Sequence, residues 1–370
     1  MDKHATRIVI AGGGTGGHLF PALAIADELR RRTTSRDIVF IGGKRGLEVR
    51  LVPLAGYPLR TLSMAGIKGR GVVARVGAGF LALVAVVRCL GWMVRRRPAL
   101  VIGVGGYASG PAVLAASLLG IPIMLMEQNH FPGATNRLLA RRAAVVCVPS
   151  NAARERLGGI GVVTGNPVRA EFFRAQDNPG GDPLRLLIFG GSRGAHSINM
   201  AMGPVVRGLA NTENPPRVVH QTGQNDLATV RGFYETYPSD RFEVHPFLDD
   251  MPERLAAADL IVCRAGAMTL AELAAAGRAA ILIPYPHAAD DHQRHNAQTV
   301  VDAGAARMIA DDRLETEELE DQLKELLADP EALGRMGDAA RRLAHPDATT
   351  RITDLAESLI HGEEVGNRVS

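Results

Sequence analysis

Cysteine is scarce in this 370-residue chain: Cys89, Cys147 and Cys263 stand singly, with no CxxC pair. That excludes a disulfide scaffold and a thiolate metal centre, and fits an intracellular protein whose thiols pack as small hydrophobes. A zinc-ligand spacing is missing as well. His287, His292 and His295 fall close together, but no acidic residue completes a ligand set. No GxSxG nucleophile elbow occurs, which excludes an α/β-hydrolase serine. The glycine run near the N-terminus is not followed by GK[ST], which excludes an ATP-type P-loop. The strand-like stretch Ile38 to Ile41 ends in Gly42-Gly43-Lys44-Arg45, without the Asp or Glu that an NAD site places on the ribose; Lys44 and Arg45 leave NADP open. Strand and glycine turn follow Met1 so closely that no signal peptide is expected.

What is present centres on Arg7 to His18, RIVIAGGGTGGH. Ile8, Val9 and Ile10 form a β-branched run that reads as a buried parallel strand. The glycines that follow free the turn for positive φ and let a ligand approach the backbone. From Phe20, PALAIADELRRR has helical spacing with basic residues in its last turn. Strand, bare turn and helix start together make an anion site. The same frame recurs at Arg185 to His196, RLLIFGGSRGAH, and a second echo links Gly103–Glu127 to Arg264–Tyr285. Two similar halves predict two doubly wound α/β domains facing each other across a cleft. Their expected bounds are 1–165 and 166–345, with 346–370 a helix and tail able to pack back on either domain, the first included. A composition of 46% hydrophobic and 22% charged residues suits two such cores.

The net charge of +3 hides an imbalance. Residues 1–165 carry 22 Lys and Arg against 7 Asp and Glu, whereas residues 166–370 carry 20 against 32. A basic first half suggests a polyanionic partner. Val76 to Val94 is long and apolar enough to span a bilayer, with Arg88 its one charge. It lies between two strand-like stretches, so a crossover helix is expected, because a spanning segment would cut the sheet. Val76, Phe80, Leu83 and Trp92, with Lys68, Arg70 and Arg75 before them and Arg95 to Arg97 after, suit a monotopic contact with an anionic membrane surface. The alternative is a deeply buried helix with a solvated basic end.

Polar groups gather on loops at expected strand C-termini: His18, Tyr107, Ser109, Glu127, Asn129, Arg169, Ser192, Glu272 and Gln293. GAMTLAE, Gly266 to Glu272, places Thr269 and Glu272 at another helix start, where amides hold phosphate or a simple cap forms.

GGTGGH (13–18), GGYASGP (105–111), EQN (127–129), GNPVR (165–169), GGSRGA (190–195) and GAMTLAE (266–272) occur in order. In this the chain resembles the MurG family of bacterial N-acetylglucosaminyltransferases, in glycosyltransferase family 28, over roughly residues 5 to 345. The resemblance implies the GT-B fold and inverting transfer of GlcNAc from UDP-GlcNAc to the C4 hydroxyl of the MurNAc of lipid I. The product would be lipid II, for peptidoglycan synthesis, cell shape and division. It implies a donor site of Ser192, Arg169, Leu248, Ala267, Met268, Thr269, Leu270, Ala271, Glu272 and Gln293. Thr15, Gly16, Gly17 and Asn129 would reach the donor sugar, and Gly14, His18, Tyr107 and Ser109 the acceptor. Arg193 and Leu248 depart from the family's pattern. His18 is the first choice of general base and Glu127 the second, an imidazole titrating near pH 6.5. No tightly bound metal or cofactor is expected, a divalent ion at most stimulating transfer. The partners implied are UDP-GlcNAc, lipid I, the cytoplasmic face of the cell membrane and cell-wall or division proteins, with no nucleic acid. Competing readings are a UDP-GlcNAc epimerase, a glycolipid synthase, an NADP oxidoreductase and a membrane-docked cell-wall scaffold.

Overall fold

The computed structural model describes residues 6–64, 72–174, 181–191, 194–314 and 317–366; side chains at 72–76, 78, 174 and 289 are outside the description. The chain divides into two compact units, Met1–Val168 with Asp347–Ser370, and Arg169–Pro346.

The first unit is built on β1 (Arg7–Ala11), β2 (Asp37–Gly43), β3 (Leu59–Leu62), β4 (Leu100–Gly103), β5 (Ile123–Met126), β6 (Val145–Val148) and β7 (Val162–Val163). Their order is β3-β2-β1-β4-β5-β6-β7. All pairs are parallel, with Ile10 opposite both Phe40 and Ile102. Side chains alternate across the sheet, so β1 feeds two cores. Ile8 and Ile10 pack with Leu19, Ile25 and Leu29 of α1 (Gly16–Arg32), and with Val52 of α2 (Glu48–Leu54). Val9 and Ala11 pack on the other face with Cys89 and Met93 of α3 (Val72–Arg95) and with Ala112 and Val113 of α4 (Ser109–Leu118). Each fully buried Ile, Leu or Met contributes about 1.5–3 kcal/mol.

The helix Ala348–Ile360 returns to this unit. Its Ile352, Ala356 and Leu359 join the α1 face of the core. Arg32 bonds Asp354 at 2.6 Å and Glu357 at 2.7 Å, and Arg36 bonds Glu357 at 2.6 Å. Partial burial alone would raise the Glu357 carboxyl, but the two guanidinium groups hold it below the usual range.

The stretch 76–94 lies inside α3, between β3 and β4. Phe80, Leu83, Val87 and Val94 are exposed, Phe80 by 66%. Trp92 corrects the sequence reading. It is half-buried and packs against the core, with Arg60 4.9 Å and Arg7 5.9 Å from its ring centre. Two arginines from β1 and β3, distant in sequence from the basic flanks of α3, hold it against the protein. Lys68 and Arg70 lie outside the described residues, as do the side chains of Arg75 and Val76. Among the described residues no helix is long and apolar enough to cross a membrane.

The second unit repeats the plan with β8 (Arg185–Phe189), β9 (Arg217–Gln221), β10 (Phe242–His245), β11 (Leu260–Cys263), β12 (Ala279–Leu282) and β13 (Ala306–Met308). The order β10-β9-β8-β11-β12-β13 is again parallel throughout. Counted within the unit it is 3-2-1-4-5-6, the doubly wound order, which directs ligands to the carboxyl edge. Leu186 and Ile188 pack with Ile198, Met202 and Val206 of the helix His196–Ala210. All three cysteines are buried; burial pushes the thiols of Cys89 to about 11 and Cys147 to about 12, and Cys263 higher, so none is a nucleophile at neutral pH.

Candidate active site

In the first unit the turns after β1 and β4 are pressed backbone to backbone. Gly12, Gly13 and Gly14 have φ of +157°, +134° and +92°. A Cβ on Gly12 would lie 2.4 Å from the Val104 side chain, and one on Gly106 would lie 2.5 Å from the Gly13 carbonyl. Only glycine permits that approach. α1 then starts at Gly16 with no side-chain cap and no acidic residue in its first turn. Its leading N–H groups and the positive end of its dipole are set for an anion.

His18 lies in that first turn. Its Nδ1 is 3.1 Å from Oε1 of Gln128, and Gln128 Nε2 donates to the Val104 carbonyl at 3.2 Å. The Val104 carbonyl only accepts, so it fixes which way the buried amide faces. Gln128 therefore presents its oxygen, His18 donates from Nδ1, and Nε2 carries the lone pair. A Cβ on Gly105 would lie 2.8 Å from the imidazole, so the β4 turn is cut back to admit the ring.

Glu127, the second candidate base, is buried with both oxygens engaged. Oε1 accepts from the N–H and Nδ2 of Asn129, at 2.9 and 3.1 Å; Oε2 accepts from Gly133 N–H and Asn136 Nδ2, both at 2.8 Å. Four donors make this carboxylate the organiser of loop 127–136. Tyr107 is 63% exposed. Ser109 is a correction: it is fully buried, its Oγ 2.8 Å from where a Gly103 Cβ would stand, and it cannot touch an acceptor. The first turn of α4 rotates it under the sheet edge instead of out of it.

In the second unit, Gly191 (φ +89°) and Gly194 (φ +76°) shape the turn after β8. Gly194 N–H closes it on the Gly191 carbonyl at 2.9 Å, and Gln221 Nε2 donates to the same carbonyl at 2.9 Å. Ser192 and Arg193 lie outside the described residues. Beneath the turn, Asn199 donates to the Thr222 carbonyl and to Asp226, both at 2.8 Å, and receives from His220. Burial pulls His220 down to about 3, so it stays neutral and supports the turn.

The helix Ala267–Ala276 starts after Gly266 with no side-chain cap, so the amides of Ala267, Met268 and Thr269 lead it. Met268 and Leu270 are buried, as is Leu248, and offer backbone only. Glu272 is half-buried on this helix. Burial pushes its carboxyl up to about 7, while Arg169 pulls the other way. Arg169 also packs 5.0 Å above the Phe172 ring. Gln293 accepts from Tyr285 N–H at 2.9 Å through its side-chain carbonyl. Among the described residues no three His, Cys, Asp or Glu come together as metal ligands.

Four polar residues here escaped the sequence reading. Gln128 stood within the EQN motif but was given no role there. Arg264, two residues before Gly266, donates to the Ile283 and Pro284 carbonyls, to Ser197 Oγ and to Asp311, tying together the ends of β11 and β12. Glu48 accepts from Gly14 N–H at 2.8 Å and from Gly43 N–H at 2.7 Å. Arg264 had a signal in its place beside GAMTLAE; Asp311 and Glu48 had none, because their partners are far off in sequence or are main-chain groups.

Two all-parallel doubly wound units, each with a glycine turn and an uncapped helix at its carboxyl edge, define an α/β nucleotide-handling protein of the GT-B class. The glycosyltransferase family 28 N-terminal domain matches residues 8–148 and the family 28 C-terminal domain residues 185–355. The chain belongs to glycosyltransferase family 28. It is 44% identical over 333 residues to the UDP-N-acetylglucosamine–N-acetylmuramyl-(pentapeptide) pyrophosphoryl-undecaprenol N-acetylglucosamine transferase of Myxococcus xanthus, covering 89% of this chain and 87% of that protein. It is 44% identical over 346 residues to the protein of the same name from Geotalea uraniireducens, covering 91% and 94%. Among solved structures it is similar to MurG of Acinetobacter baumannii, with 34% identity, a TM-score of 0.76 and coverage of 95% of this chain and 99% of that one. A UDP-GlcNAc 2-epimerase from Neisseria meningitidis, at 15% identity and a TM-score of 0.65 over 95% and 100% of the two chains, shares the fold.

Proposed function

We propose that this protein transfers N-acetylglucosamine from UDP-GlcNAc to the C4 hydroxyl of the MurNAc of lipid I, with inversion, giving lipid II. The observation that carries the reading is the chain His18–Gln128–Val104, which leaves a basic nitrogen at Nε2 in the first turn of an uncapped helix. The names of relatives 41–44% identical over about nine-tenths of the chain support the substrates. In the reaction the C4 oxygen bonds to the anomeric carbon, the bond from that carbon to the UDP oxygen breaks, and His18 Nε2 takes the hydroxyl proton. Charge gathers on the departing diphosphate. The leading amides of helix Ala267–Ala276, Arg169 and Ser192 stabilise it, which supplies electrostatic assistance without a tightly bound metal. Glu272 binds the ribose hydroxyls, Leu248 the uracil through its backbone, and Gln293 the sugar, with Thr15, Gly16, Gly17 and Asn129 on the first unit's side. Gly14, His18 and Tyr107 address the acceptor.

The protein works at the cytoplasmic face of the membrane as a peripheral enzyme, the exposed Phe80 and Leu83 entering the interface. Labelled UDP-GlcNAc with a lipid I analogue tests the activity. Labelled lipid II is the expected product; epimerised UDP-sugar without transfer overturns the reading in favour of an epimerase. His18→Ala is expected to lower kcat by about 10²–10⁴-fold, the range of a positioned base.

A further inference from the structure

We infer that Glu48 is a positioning residue for transfer: an internal carboxylate seated in the glycine turn of the first unit, holding it in its working shape before any substrate arrives. The inference rests on the transferase reading and assigns a role to a residue outside the site proposed above.

Glu48 is 1% exposed, at the start of α2. Its carboxylate bridges the ends of two strands, accepting from Gly14 N–H beyond β1 and from Gly43 N–H at the close of β2. Three glycines shape its seat. A Cβ on Gly13, Gly42 or Gly46 would lie 2.6, 2.6 or 2.0 Å from the Glu48 side chain. Backbone amides that converge from neighbouring segments form a concavity for an anion. Here the protein supplies that anion itself. Gly14 N–H is therefore committed to Glu48, so Gly14 meets the acceptor by its exposed backbone surface, and the leading amides of α1 supply the N–H groups for the acceptor diphosphate.

Gly14 is followed directly by Thr15 and by α1, so anchoring it fixes where the helix starts and where the His18 ring stands. A displacement of about 1 Å at a reacting group costs about 10²-fold in rate.

The test compares Glu48→Gln, Glu48→Ala and Gly46→Ala. The last keeps the carboxylate but forces it from its seat. UDP affinity by calorimetry reports the second unit and is expected to stay within twofold of wild type. kcat/KM for a lipid I analogue is expected to fall about 10–100-fold, least for Glu48→Gln, which keeps one acceptor oxygen. Hydrogen exchange of the peptide covering Gly12–Gly17 is expected to quicken in all three. Unchanged exchange, or wild-type acceptor kinetics with intact UDP affinity, overturns the inference, as does a UDP affinity that falls in step with turnover. If the wild-type protein transfers no sugar, the transferase reading fails, while the exchange measurement still decides whether Glu48 anchors the turn.

Discussion

Glu272 carries opposing demands. Its carboxyl is pushed up to about 7 by burial. An unfolded glutamate titrates in the ordinary carboxylate range, so between that range and pH 7 the folded chain holds the extra proton. Stability contributed by this group is full below the ordinary range and is lost as pH rises through 7. Glu272→Gln is therefore expected to melt above wild type at pH 8, by about 2–4 °C for each kcal/mol released, and level with it near pH 4, as followed by calorimetry. Glu272→Ala is expected to bind UDP about 10-fold or more weakly if the proposed hydrogen bonds to the ribose are made, that being the cost of losing them. Stability gained in one substitution and binding lost in the other together mark a residue kept for its ligand. Single residues were also the hardest to read in sequence. His18 closed a glycine run and announced itself. Glu48 did not, because it bonds to main-chain amides that no side-chain pattern reveals. Ser109 misled because a motif shows which residues are near a turn but not the rotation of the helix that follows.

At the scale of elements, strand–turn–helix units translated well. The runs at Arg7 and Arg185 both became strands ending in glycine turns, since short apolar runs closed by glycines suit buried parallel strands. The turn after β8 is the tighter constraint. A Cβ on Gly194 would stand 1.9 Å from the Thr222 carbonyl at a φ of +76°. Gly194→Ala is expected to destabilise the second unit by about 2 kcal/mol or more, seen as a lower urea midpoint and as lost UDP binding. α3 was legible as a crossover helix from its place between strands, while its apolar excess divided in the structure between an inner face at Cys89 and Met93 and an exposed stripe at Phe80, Leu83, Val87 and Val94. Phe80→Ser with Leu83→Ser is expected to weaken binding to anionic vesicles several-fold, measured by flotation. Trp92→Phe, inside the arginine pair, is expected to leave it unchanged.

For the whole molecule, internal repetition carried the fold class, because two halves with the same spacing of turns must form similar sheets. Strand order needed the structure, since parallel register arises from long-range pairing. The helix Ala348–Ile360 gives the two units unequal claims on the chain. Ending the protein at Pro346 removes Ile352 and Leu359 from the first core and deprives Arg32 and Arg36 of Glu357. That truncation is expected to cost the first unit about 3–6 kcal/mol for the two apolar side chains, lowering its unfolding midpoint while leaving the second unit's UDP affinity intact.

The return of that helix also has a consequence for synthesis. The first unit is formed from two stretches separated by the whole of the second, so the second unit is in effect an insertion within it. A ribosome paused anywhere before residue 348 holds an N-terminal lobe whose oily flank still awaits its cover. The first unit therefore matures last although most of it is made before the second.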